Sequence, residues 1–331
     1  MNPSYSWPSV DKDLNAVNEA LRGELPLEQA SLLGDVARFL CQSKGKGLRA
    51  TLILLTAHSG RVADWHSVYR AAAAVELTHL ATLVHDDLID QAVLRRGLPA
   101  VHMQWTPGVA ILTGDYLFAR AIALMNTIGM QRLSALLANA ISEMCQGEMS
   151  QQEQAFEVNL MEAQYLDRIR QKTATFFAVS CAIGALLSGQ DERDIQALYG
   201  YGEALGLAYQ VLDDLLDLAA TTEEIGKPVG NDLRHGTITL PMIHALRQER
   251  YSSTLARMIM EPESDIGQIR HILMDCGSFG YAHSFALDKI AEARSRLSLL
   301  PQDWAVQHLD ALAETLLNKH TTHLAPLTAA R

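Results

Sequence analysis

The chain has 331 residues, 48% of them hydrophobic but only 6% aromatic, so a large core must be filled by Leu, Ala, Ile and Val. A formal net charge of −11 speaks against a sequence-independent nucleic-acid binder, which needs many Lys and Arg on phosphates. With 21 Gly and 10 Pro in the whole chain, long helices are favoured over many short strands.

The N-terminus, MNPSYSWPSVDKD, has no basic stretch leading into an apolar run, so no secretory signal is expected. Next comes a small basic cluster, Lys44, Lys46 and Arg49 around Gly45 and Gly47. Glycines there let backbone N–H groups approach a phosphate while the cations neutralise it, although Lys/Gly loops are also common surface features. Helical periodicity is clearest over Ala71–Gln91 and recurs over Leu112–Asn126, Leu133–Phe156, Tyr165–Leu187, Ile195–Ala220, Gly280–Leu299 and Trp304–His320. Breaks fall at Gly97-Leu98-Pro99, Trp105-Thr106-Pro107-Gly108, Gly226-Lys227-Pro228 and Leu300-Pro301. Thr173 to Gln190 is uncharged and about as long as a membrane span requires. Its Thr, Ser and Gly residues and its flanking charges read it instead as a buried core helix. No alternating strand, linker or low-complexity run interrupts the pattern, so the expectation is an all-α, single-domain bundle of ten or more helices over residues 1–331. Cys41, Cys145, Cys181 and Cys276 lie far apart with no CxxC pair, which suggests neither a zinc nor a redox site and fits a cytoplasmic setting.

Two helices end in the same aspartate pattern, Asp86-Asp87-Leu88-Ile89-Asp90 and Asp213-Asp214-Leu215-Leu216-Asp217. Residues i and i+4 share a helix face, so Asp86 points with Asp90 and Asp213 with Asp217. Asp87 and Asp214 sit roughly 100° round. Carboxylates at a helix C-terminus are opposed by the helix dipole and by one another. A bound divalent cation resolves both conflicts. All-oxygen ligands favour a hard ion, and Mg²⁺ takes one or two carboxylates and completes its shell with water and substrate phosphates. The alternative is a pair of solvated helix faces, which two such motifs on apolar helices make a poor reading. Each motif precedes a basic, Gly-containing loop: Arg95-Arg96-Gly97 after the first, Gly226-Lys227-Pro228 and Asn231-Asp232-Leu233-Arg234 after the second. His79 lies two turns before Asp86 and forms a Glu-x-x-His pair with Glu76. A di-iron carboxylate bundle would need a second such pair, and no other Glu in the chain supplies one. A hydrogen-bonded core histidine is the plainer alternative for His79.

The sequence resembles the trans-polyprenyl diphosphate synthases, the polyprenyl synthetase family, over roughly residues 10 to 320. HLATLVHDDLIDQAVLRRGLPAVH is similar to the family's first aspartate-rich motif with its arginine pair, YQVLDDLLD to the second, and GKPVGNDLRHGTITLP to the loop after it. The resemblance implies a bundle of the isoprenoid-synthase type around a central cavity. It also implies Mg²⁺-dependent condensation of isopentenyl diphosphate with an allylic diphosphate. Carried over by position, Asp86, Asp90, Asp213 and Asp217 would ligate Mg²⁺, with Asp87 and Asp214 supporting them. Arg95, Lys172, Thr173, Gln210 and Lys227 would hold the allylic diphosphate, Lys172 acting catalytically as well. Lys46, Arg49, His79 and Arg96 would hold isopentenyl diphosphate. Departures are Gly47 and Ala50 where the family has Arg and Pro, Thr237 where many members have Lys, and Tyr209 for the commoner Phe.

In this family the residue five before the first Asp limits the growing tail. Here it is Ala81, about 7.5 Å up the helix. A small side chain there predicts a long product of the octaprenyl or heptaprenyl type, with Leu124 and Met125 as candidates for a deeper floor. Alternatives are a farnesyl or geranylgeranyl diphosphate synthase, or the catalytic subunit of a hetero-oligomeric synthase. A terpene cyclase or a head-to-head prenyltransferase would not need the isopentenyl set. A homodimer is expected, with no nucleic-acid partner and at most peripheral membrane contact for product release.

Overall fold

The computed structural model of the protein describes residues 10–42, 45, 47–219, 230–261 and 265–328, without the side chains of 219, 231 and 319–328. The fold is all-α. In chain order the helices are α1 (Asp11–Gly23), α2 (Leu32–Leu40), α3 (Leu48–His58), α4 (Trp65–Ile89), α5 (Val101–Gln104), α6 (Pro107–Asn126), α7 (Gln131–Glu153) and α8 (Glu162–Ile169). A π-helical turn, Arg170–Ala174, joins α8 to α9 (Thr175–Leu187). Then come α10 (Glu192–Ala219), α11 (Asn231–Arg234), α12 (Leu240–Leu246), α13 (Glu249–Met260), α14 (Ile266–Asp275), α15 (Ser278–Leu297) and α16 (Trp304–Thr328). Among the described residues the sole extended pairing is a ribbon between α4 and α5, where β1 (Leu94–Arg95) runs antiparallel to β2 (Leu98–Pro99).

Several helices begin where a cap allows. Helix α4 starts earlier than its apolar repeat because Asp64 accepts hydrogen bonds from the His66 and Ser67 amides. Likewise Thr106 caps α6, with Pro107 in its first turn. The expected single helix over Tyr165–Leu187 is corrected: it is α8 and α9 joined by the π turn. The uncharged stretch from Thr173 to Ala185 is buried throughout, as a core helix should be.

The described residues form two compact units. The first comprises the chain up to residue 141 together with 179–195. Helix α4 is its centre, with α1, α3, α5 and α6 packed on it. Ala71 to Val75 are fully buried, and the four small alanines let neighbouring helices approach closely. Among the described residues α6 is the one helix long and apolar enough to cross a membrane by length and composition, with 39% of that stretch buried.

The second unit comprises residues 142–178 and the chain from 196 onward. Within it α12 packs on α8, α13, α14 and α15, and the Tyr201 hydroxyl donates to the Leu309 carbonyl at 2.7 Å, tying α10 to α16. Tyr165, Leu212, Leu215, Ile238, Leu240 and Phe279 share its core. Helix α10 lies against the end of the π turn with no room for a side chain. A Cβ at Gly206 would sit 2.6 Å from the Ala174 Cα.

Candidate active site

In the first unit, α4 delivers its acidic motif at the C-terminal end, where Asp90 is the cap residue. The three aspartates divide in role. Asp87 is buried, and Arg95 donates to its Oδ1 from Nε at 2.7 Å and also from Nη2. Asp86 and Asp90 are half-buried. A tight turn explains why Arg95 arrives there. Arg96 and Gly97, between β1 and β2, both have positive φ, 51° and 80°, as a two-residue hairpin turn of the favoured hand requires. Burial works against the Arg95 charge, but the Asp87 hydrogen bond and the three carboxylates hold its guanidinium above the ordinary value.

Arg96 lines a small pocket with Arg95 and Asp87 and also reaches the chain entering α3. Its guanidinium lies over Gly45, where an added Cβ would be 3.2 Å from Nη1. Arg96, His79, Glu76, Gly45, Gly47 and Ala50 line part of a cavity of about 430 Å³. Glu76 accepts a hydrogen bond from the Ala50 amide at 2.9 Å, which fixes the first turn of α3. Burial raises its carboxyl, while Arg49 and Arg96 pull it back. The His79 imidazole is pushed well below its usual value by burial, then by Arg49, Arg96 and Arg95, so it stands neutral among cations. Lys46, the fourth expected isopentenyl diphosphate ligand, lies outside the described residues. Ala81 is fully buried in α4, and Leu124 and Met125 are buried in α6.

In the second unit, Asp214 is the hub. Tyr165 donates to its Oδ2 and Gln210 Nε2 to its Oδ1, each at 2.7 Å, while Gln210 Oε1 accepts from Thr173 Oγ1 at 2.7 Å. Asp213 is exposed and Asp217 half-buried. The Asp217 carboxylate accepts from the Asp232 amide at 3.1 Å and its carbonyl from the Gly230 amide at 3.0 Å, so it also caps α11. Burial raises the Asp232 carboxyl well above the usual range, and Asp214, Asp217 and Asp213 add to this. Lys172 sits in the π turn, paired with Glu148 at 2.5 Å and donating to Gln151 at 3.2 Å. Gly147 of α7 makes room for that turn, since a Cβ there would lie 2.7 Å from the Lys172 nitrogen. Lys227 lies outside the described residues.

The sequence patterns did not single out Tyr165, Arg168 or Glu148, and they gave Asp232 no role. Arg168 is 2% exposed; it donates to Gln154 at 3.0 Å and to the Ile238 carbonyl at 2.7 Å, beside Tyr165. An arginine on a short polar helix such as α8 carries no signal that it will be buried. Glu76 was visible as half of Glu-x-x-His, but only as a metal ligand.

The donor set can be tested against a divalent ion. Among the described residues no three Asp, Glu, His or Cys side chains converge as a closed cage. Four carboxylates nevertheless share the end of α10 and the start of α11, and Asp232 and Asp214 both resist ionisation there. Crowded oxygen donors without a cage suit a hard cation that completes its shell with ligand phosphates and water.

The polyprenyl synthetase family profile matches residues 30–276. Heptaprenyl diphosphate synthase component 2 from Geobacillus stearothermophilus is 40% identical over 269 residues, 81% of this chain and 82% of that protein. A decaprenyl diphosphate synthase structure from Rhodobacter capsulatus superposes with a TM-score of 0.87 at 34% identity, covering 94% of this chain and 97% of that one. A polyprenyl synthase from Caulobacter crescentus, solved with calcium and isoprenyl diphosphate, gives a TM-score of 0.87 at 32% identity and covers 94% and 95% of the two chains.

Proposed function

This chain belongs to the polyprenyl synthetase family and is a transferase of the trans-prenyltransferase type; from that premise we propose that it condenses isopentenyl diphosphate with an allylic diphosphate to give a long all-trans polyprenyl diphosphate. The observation that carries the reading is the cavity beside α4, where Arg96 and a neutral His79 meet two glycines. A second diphosphate held by side chains and backbone without a metal is what an extending synthase needs and a cyclase does not.

In this reading Arg49, His79, Arg96 and Lys46 orient isopentenyl diphosphate, with Glu76 holding the start of α3 in place. Arg95, aligned by Asp87, acts with Lys172, Thr173, Gln210 and Lys227 on the allylic diphosphate. Asp86, Asp90, Asp213 and Asp217 hold Mg²⁺. When bound, the ions neutralise the charge that develops on the departing diphosphate. Asp214, set by Tyr165 and Gln210, keeps the second acidic motif in register. Apolar residues buried on α4 and α6, among them Ala81, Val84, Leu124 and Met125, would keep water from the carbocation.

Ala81, about 7.5 Å above Asp86 on α4, puts no large side chain at that level, which supports a product of about C30 to C45. The test is incubation of the pure protein with farnesyl diphosphate, isopentenyl diphosphate and Mg²⁺, then product sizing. Products that stop at geranylgeranyl diphosphate would refute the long chain, and Ala81→Tyr should shorten a long product.

The chain works as one polyprenyl synthetase domain in this proposal, because the family match runs through the boundaries of both compact units. It forms a homodimer, an assignment favoured by exposed Ile111, Leu112 and Ile122 on α6. A second reading, a catalytic subunit that needs a partner, is favoured by the "component 2" name of the Geobacillus relative. Turnover by the isolated chain decides between them. Four free cysteines fit a cytoplasmic location.

A further inference from the structure

Helix α1 carries no residue that the sequence marks as functional, yet it lines the same cavity as His79 and Arg96 through Leu14, Asn15, Asn18 and Arg22. Two contacts show how it lies. A Cβ on Gly47 would meet the Leu14 side chain at 3.6 Å, and Arg22 lines the cavity together with Leu40 and Cys41. The start of the helix therefore faces the entry to α3, and its last turn faces the end of α2. It is also pinned at both ends. Asp13 accepts from the Tyr69 hydroxyl at 2.7 Å and holds His58 Nε2 at 2.9 Å, and Glu24, just past the helix, pairs with Arg120.

With those anchors and the buried Val17 holding the helix in place, its exposed polar residues are not needed for packing. Asn15, Asn18 and Arg22 fall on one stripe at i, i+3 and i+7. All three are exposed, and among the described residues the Arg22 side chain makes no hydrogen bond or ion pair. The charge balance of the cavity calls for such a group. Arg96 shares the lining with the Glu76 carboxylate, which offsets part of its charge. A diphosphate is a multiply charged anion that needs several cationic or N–H donors.

We infer that Arg22, with Asn18 beside it, binds the diphosphate of the isopentenyl substrate, so that α1 is a substrate-contacting wall as well as packing; this rests on the proposed isopentenyl site. The guanidinium donates paired N–H groups to non-bridging oxygens, and the Asn18 amide adds one more.

Steady-state kinetics of full-length R22Q, R22K and N18A, with K12Q at the exposed start of α1 as control, test it. R22Q should raise KM for isopentenyl diphosphate about tenfold, the loss expected for one charged hydrogen bond, with KM for farnesyl diphosphate and kcat unchanged. R22K should recover part of the loss, N18A should show a smaller rise in the same constant, and K12Q should match the parent. An unchanged isopentenyl KM in both R22Q and N18A, or an equal rise in both substrates' KM, would overturn the inference. Failure of the unaltered protein to consume isopentenyl diphosphate would overturn the underlying site reading as well, and is told apart by that control alone.

Discussion

Asp214 is buried and His79 half-buried, and loss of solvation acts on the two ionisable groups with opposite sign. Asp214 is pushed up to about 6, by burial first, with Asp213 adding to it and the Tyr165 and Gln210 hydrogen bonds working against it. Its folded value lies above the unfolded one, so its contribution to stability is present below pH about 4 and is lost as pH rises through about 6. Asp214→Asn should therefore stabilise the metal-free protein by roughly 1 to 3 kcal/mol at pH 8 and leave it little changed at pH 4, while activity falls. Chemical denaturation at the two pH values checks this; equal shifts at both would show that ionisation is not the cost. His79 is held well below its ordinary value, so the unfolded chain takes up its proton first and stability drops as pH falls below about 6.5. Replacing it by Gln should flatten the loss of melting temperature between pH 7 and pH 5. At this scale the aspartates, the arginine pair and His79 were marked in the sequence by their spacing. Tyr165 and Arg168 were not, since nothing in a helix sequence says which distant carboxylate a phenol or guanidinium will meet.

Periodicity located the long helices, and caps explain where several of them begin. It failed at Tyr165–Leu187, where the apolar repeat runs on but the backbone inserts a π turn. The reason is tertiary. Gly147 and Gly206 bring the backbones of α7 and α10 against Lys172 and Ala174, and that close approach decides the local winding. Gly147→Ala places a carbon 2.7 Å from the Lys172 nitrogen, and backbone cannot yield as a flexible side chain does. The substitution should raise KM for the allylic substrate and lower the melting temperature by several degrees, about 1–3 kcal/mol of overpacking. An alanine variant with unaltered allylic KM would show that the turn does not set the position of Lys172. The short helices α1 to α3 were not singled out in the sequence, being too brief for a repeat to stand out.

At the scale of the whole molecule, a net charge of −11 and two aspartate motifs make cations a determinant of stability as well as activity. A ligand that binds only the folded chain stabilises it by mass action. Mg²⁺ with inorganic diphosphate should raise the melting temperature at pH 8 more than Mg²⁺ alone, because the described carboxylates form no closed cage and phosphate oxygens complete the shell. The gain should shrink at pH 5, where Asp214, pushed up to about 6, holds a proton. A full shift with metal alone would point to a closed cage. The all-α architecture was legible from composition. The division into two compact units was not, because boundaries such as that between residues 141 and 142 fall inside helices, where no Pro, Gly or charge run marks them.

The π turn at Arg170–Ala174 has a further consequence, for heredity. Such a turn spends one residue more than an α turn on the same stretch of helix, so it shifts the phase between α8 and α9 by about 100°. Deleting any one residue between 170 and 174 would restore an unbroken α-helix from Glu162 to Leu187, more regular than the original. It would also rotate Tyr165 and Arg168 away from Asp214 and the Ile238 carbonyl they now reach. The length of this stretch is thus as much a part of the fold as the identity of its side chains.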